Sequence, residues 1–195
     1  YEAEAGGLVE GGIPGSGTWS AAGAGLLVTR DTRDDRLQPR SGTFAEAGAL
    51  ACGGDAAYRT AMLDLRAYRS PRKRGVIAAR CWFGAAGGEV PFQMLPAIGG
   101  VSTMRGYPYA RFRDRVAWVC QAEYRLHVWW RLGAAVFGGA GSVAGRLGDL
   151  AAEDIETAAG VGLRVQLGKE GAQLRIDMGF GHRSSGLYFV INEAY

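Results

Sequence analysis

The residues of this 195-residue chain best placed to do chemistry are ionisable groups that recur at every second position. From residue 116 onward Val116, Trp118, Cys120, Ala122, Tyr124, Leu126 and Val128 alternate with Gln121, Glu123, Arg125 and His127. Asp64 and Arg66 alternate with Leu63 and Leu65, and Arg80 lies among Ile77, Ala79, Cys81 and Phe83. Arg164 and Gln166 oppose Val161, Leu163 and Val165, while Arg175 and Asp177 oppose Leu174, Ile176 and Met178. Period two is the spacing of a strand with one apolar and one polar face. Arginines and carboxylates interleaved on such a face can neutralise one another across neighbouring strands. That chemistry is structural, because the pattern offers no nucleophile beside a base. His127 and His182 lie far apart with no Cys or acid at ligand spacing, so neither a metal centre nor a Ser-His-Asp constellation is expected.

The elements that must carry these groups are strands. Gly, at 32 residues, is more than twice its usual ~7 % share, which suits curved strands and tight turns. Strands are expected at 19–30, 42–52, 56–68, 74–85, 115–129, 132–141, 158–168, 173–181 and 187–195, with a fragment at 1–8. That is ten, or eight if the first two are irregular. A soluble sandwich would turn the apolar faces onto a second sheet. A membrane barrel turns them to lipid and the charged faces to a wet lumen. Composition permits the barrel: 48 % of residues are hydrophobic and mean hydropathy is near zero. The uncharged run between Arg131 and Arg146 is short and Gly-rich, well below the ~18 apolar residues of a spanning helix. Short charged segments at 31–41 and 69–73 contrast with long ones at 86–114 and 142–157. This is the pattern of periplasmic turns and outer loops, and Leu147, Leu150, Ala151 and Ile155 suggest a short helix in the second long loop. The net charge of +3, without an aromatic-basic cluster, argues against nucleic acid. Cys52, Cys81 and Cys120 lack metal spacing, and Cys81 and Cys120, on apolar faces, read as small hydrophobes. Residues 139–144 match a loose dinucleotide fingerprint, but no βαβ array surrounds them and no cofactor is expected. The chain opens without a basic-then-apolar signal, so Tyr1 is read as a mature terminus or an internal cut.

Three further segments carry a family resemblance. The long loop holds Met104-Arg105-Gly106-Tyr107 ahead of the 115–129 strand. Asp31-Thr32-Arg33-Asp34 is followed by Pro39-Arg40-Ser41-Gly42, and Phe189, Ile191 and Tyr195 alternate along the C-terminal segment. Together they resemble the BamA and TamA superfamily of outer-membrane barrels. The resemblance implies an all-β, antiparallel transmembrane barrel in the bacterial outer membrane, spanning 1–195 as one domain and forming the C-terminal part of a larger barrel. It implies that Arg105 reaches inward to acids on the next two strands. The first acid matches Glu123. The second belongs in a Phe-x-Asp-x-Gly pattern, where this chain has Gly139 instead. Asp64, Arg66, Arg164, Arg175 and Asp177 would line the lumen. Phe189, Ile191 and Tyr195 would form the signal read by the outer-membrane assembly machinery, with Tyr195, Trp129 and Trp130 in the interfacial girdle. Implied partners are outer-membrane lipid, that machinery, a polypeptide substrate and a second copy of the chain. The implied activity is non-enzymatic insertion or translocation of polypeptides. A short stand-alone barrel, or the membrane half of a patatin-type lipase fusion, stays open as an alternative.

Overall fold

The computed structural model describes residues 20–167, 172–193 and 195, and the strand fragment expected at 1–8 lies outside them. In chain order the strands are β1 (Ala21–Asp31), β2 (Gly42–Gly54), β3 (Tyr58–Arg72), β4 (Gly75–Gly88), β5 (Ala97–Ile98), β6 (Phe112–Arg113), β7 (Val116–Trp129), β8 (Leu132–Ala144), β9 (Glu156–Leu167), β10 (Ala172–Gly181) and β11 (Ser184–Ile191). Nine of them make one sheet in the order β1-β2-β3-β4-β7-β8-β9-β10-β11, every neighbour antiparallel. The two-residue strands β5 and β6 pair separately inside the long loop. Among the described residues β1 and β11 are not paired with each other, so the sheet is a partial barrel.

Alternation decides the faces. Leu63, Leu65, Val161, Leu163, Met178, Phe180, Leu187 and Phe189 all stay exposed on the outside. Asp64, Arg80, Glu123, Arg164, Arg175 and Asp177 are buried on the inside. Phe189 is 66 % exposed while Asp177 is 0 %. A water-soluble protein sorts its residues the other way, whereas a lipid-facing wall around a charged lumen requires this arrangement. Among the described residues no helix is long and apolar enough to cross a membrane, so strands provide the spans.

The chain runs back and forth between two ends. The turn end carries residues 32–41, 73–74 and 130–131, and the loop end carries 89–115 and 145–155. The helix expected at 142–157 does not form. Strand β8 pairs with β7 as far as Ala144, and the remainder holds only the 3-10 turns Leu147–Asp149 and Ala152–Asp154. So short a span, interrupted by Gly145 and Gly148, cannot offset the cost of helix nucleation. Cys81 and Cys120 are also more than small hydrophobes. They stand directly opposite in the β4–β7 register and are joined by a disulfide, a pairing consistent with an oxidising compartment.

Candidate functional site

The long loop folds back into the concave side of the sheet, and its conformation follows from its glycines. Gly99 and Gly100 both have positive φ, which turns the chain tightly enough for the Gly99 N–H to donate to Thr103 O and the Gly100 N–H to Tyr107 O. Ile98, Met104 and Tyr107 then bury against Ala117 and Val119 of β7 and Ala158 of β9. Met104 has φ of 121°, an unfavourable conformation for a side-chain-bearing residue, held in place by near-total burial. Gly106, with φ of 117°, lies flat on β10: a Cβ there would come within 2.8 Å of Phe180 C. The seat is equally bare, since a Cβ on Gly179 would stand 2.7 Å from both Arg105 C and Gly106 N. No other residue type fits at either position without displacing backbone.

This close approach delivers Arg105 to the charged interior. Its guanidinium donates through Nη2 to Glu123 of β7 and through Nη1 to Asp177 of β10, and all three side chains are wholly buried. Its Cζ lies 3.5 Å above the centre of the Phe137 ring of β8, a cation–π contact in a dry setting. Arg164 ties the same two acids together from β9, donating to Glu123 Oε1 at 2.9 Å and to Asp177 Oδ1. Arg125 donates to Glu123 Oε1 at 2.9 Å, and Arg175 Nε stands 3.0 Å from Asp177 Oδ2. The pair of acids is thus the hub of a network of arginines from three strands and the loop. Because every member is ion-paired with an opposite charge, burial is tolerated that would otherwise be prohibitive.

Tyr107 closes the loop end. Its hydroxyl lies 2.7 Å from Glu156 Oε2 and 3.0 Å from Thr157 O, and accepts from the His182 N–H at 2.8 Å. Burial, and after it the contact with Glu156, raise the Tyr107 phenol above its ordinary pKa. Tyr188 of β11 clamps the peptide between, accepting from the Gly106 N–H and donating to Tyr107 O, each at 2.9 Å. At the preceding bend Ser102 O accepts from Arg80 Nη1 at 2.8 Å and from Gln121 Nε2 at 2.9 Å.

The expected residues therefore separate into three groups. Met104, Arg105, Gly106, Tyr107, Glu123, Arg164, Arg175 and Asp177 converge on one network. Asp64 and Arg66 form a second one with Arg80, which reaches the loop through Ser102. Phe189 and Ile191 point outward from β11. Tyr195 departs from its expected place in the girdle. The chain leaves the sheet after Ile191 through Asn192 at positive φ, and Tyr195 is 4 % exposed, packed inside against Tyr68 and Ala78. Its main-chain oxygen accepts from Arg125 Nη2 at 2.9 Å, and this pull toward the arginines outweighs the interface. Trp129 and Trp130 do project outward at the turn end, both about 70 % exposed.

The second acid of the arginine lock is also displaced. Gly139 leaves β8 without a carboxylate, and Asp177, two strands further along the sheet, supplies it. Gly179, Gly181 and Tyr188 are site residues that the alternating pattern does not single out. The Gly-x-Gly spacing on one face of β10 was the signal available for the seat. Among the described residues no group of His, Cys, Asp or Glu could hold a metal ion.

An Omp85 superfamily domain matches residues 14–195, nearly the whole chain. Among solved structures the chain is similar to BamA from Haemophilus ducreyi lacking POTRA domains 1-3, with a TM-score of 0.70 and 14 % sequence identity. That match covers 86 % of this chain and 42 % of the BamA chain, so the protein spans about two fifths of the length of that relative. No curated protein matches the sequence. A lipid-facing partial barrel, an arginine loop seated within it and a family match over this extent lead to one conclusion: the chain belongs to the Omp85 superfamily and is a BamA-like barrel of the bacterial outer membrane.

Proposed function

We propose that this protein handles other polypeptides at the outer membrane, by inserting them or moving them across, and that the arginine loop supplies the rigid body against which the barrel opens. The observation that carries this reading is the distribution of the loop's contacts. The hydrogen bonds, ion pairs and ring contact described for residues 99–107 reach β4, β7, β8, β9, β10 and β11. None of them reaches β1–β3. Strand β1 is exposed along its entire length, and among the described strands it pairs with β2 alone. One flank is thus bolted to an internal brace and the other is free to bend. Local opening is drawn from such weakly contacted segments, and a free strand edge can template an incoming strand.

The role is mechanical rather than catalytic, with outer-membrane lipid, the assembly machinery, a client polypeptide and a second copy of the chain as its proposed partners. The test is reconstitution of the folded protein in liposomes, followed by addition of a urea-unfolded outer-membrane barrel. Faster client folding than in empty liposomes is expected, with the gain reduced by Arg105→Ala. A client folding rate unchanged by correctly folded protein would overturn the proposal.

A further inference from the structure

The turn end of the lumen holds a cavity of about 320 Å³ whose floor borders the arginine network and whose rim lies outside it. Three separate turns contribute cations to its rim: Arg40 before β2, Lys73 and Arg74 before β4, and Arg131 before β8. Arg125 and Arg164 form its floor. The one acid in the described lining, Glu193, is already shared between those two, 3.5 Å from Arg125 Nε and 3.3 Å from Arg164 Nε. Among the described residues no acid forms an ion pair with any of the four rim cations. A chain whose net charge is only +3 therefore concentrates positive charge at one mouth.

The rim is also pre-built. Arg40 Nη2 donates to Lys73 O at 2.7 Å, and the Ser70 hydroxyl donates to Arg40 O at 2.9 Å, which ties the first turn to the second. Arg74 O accepts from the His127 N–H at 2.8 Å and Arg131 O from the Gln166 N–H at 2.9 Å. Holding the backbone in this way lowers the ordering cost of binding. The level in the membrane is marked as well. Arg131 lies 5.1 Å from the Trp130 ring centre, beside the exposed Trp129, and such aromatics sit where the apolar band meets headgroups.

We propose that this mouth is a binding site for a phosphate group, and that the group is the headgroup phosphodiester of an anionic phospholipid at the leaflet edge. Lys73, Arg74 and Arg131 contact it, while Arg40 holds the turns in register. The site is independent of the loop's bracing role, and its test requires no client.

The full chain is folded into phosphatidylcholine nanodiscs doped with phosphatidylglycerol, and lipid retained after transfer to detergent is counted by native mass spectrometry. The triple variant Lys73→Gln, Arg74→Gln, Arg131→Gln is expected to weaken retention roughly 100-fold, about fivefold per neutralised charge. Arg30→Gln, an exposed change on β1, is expected to leave it intact. Heat-modifiable gel mobility shows that each variant is folded. Inorganic phosphate is titrated in parallel. Phosphatidylglycerol retained against millimolar phosphate supports the lipid source, and phosphate that binds alone and displaces the lipid supports the same site with a soluble ligand. Equal retention by the parent and the triple variant overturns the proposal, as does retention of an acidic peptide without any phosphatidylglycerol.

Discussion

Arg105 is satisfied from two directions, which sets how its loss should read out. Removing it leaves Glu123 and Asp177 buried, with Arg164 as their remaining shared donor. Breaking a buried ion pair from one side costs about 3–5 kcal/mol. Arg105→Ala and Glu123→Ala should each fall in that range, measured by urea unfolding in detergent. Their double mutant should be less destabilised than the sum by at least about 1 kcal/mol, since the groups share one network. Additive costs would show that the two side chains act independently. The first partner of Arg105 was legible only through the family resemblance, which matched it to Glu123 on the inward row of the strand after the loop, and the two side chains are ion-paired. Asp177 was legible as a lumen charge but not as the second partner, because nothing local links residues 105 and 177. Their meeting depends on Gly106 and Gly179 letting two backbones touch. The Cys81–Cys120 bond escaped for a related reason. Both residues lie on apolar faces, and only the β4–β7 register sets them opposite each other.

At the scale of elements the strands were largely readable, since a period of two needs no tertiary information. Their ends were less so: β3 continues to Arg72, and β11 stops at Ile191 where the tail turns inward. The turn joining β1 to β2 is organised by Asp34, whose Oδ1 accepts from the N–H groups of Asp35, Arg40 and Ser41. Slight burial opposes ionisation, but the N–H groups of Arg40 and Ser41 outweigh it and hold the carboxyl below its ordinary pKa. A depressed carboxyl contributes stability that is fully present above the unfolded pKa of about 3.9 and is lost as pH falls through the lower folded value. Amide exchange at Arg40 and Ser41, corrected for intrinsic rates, should therefore lose protection below about pH 4, with none lost between pH 5 and 8 from this group. Asp34→Ala should remove that pH response and cost on the order of 1 kcal/mol. A pH response that survives in the variant would assign it to another group.

For the molecule as a whole, the direction of the edge strands matters more than their number. Antiparallel neighbours alternate, so with nine in the sheet β1 and β11 both run from the loop end to the turn end. Laid against each other they would form a parallel ladder, unlike every other junction in the sheet. A second copy in the same membrane orientation does not change this, because its strands descend in the same sense. Direct neighbours are therefore not expected. With Cys52→Ser as background, Leu26→Cys and Phe189→Cys should not join as a zero-length disulfide under copper-phenanthroline in membranes, while longer bifunctional maleimides should bridge them. A direct disulfide between those two positions would establish parallel closure. Between the edges of the described strands there is room for an upward strand, or for any odd number of strands that begins and ends upward. An extended segment of that polarity, whether from earlier in the chain or from another polypeptide, could satisfy both of its edges at once, one on β1 and one on β11. The vacancy thus accepts a chain in one orientation only, and it is itself a rule about which way an entering strand must point.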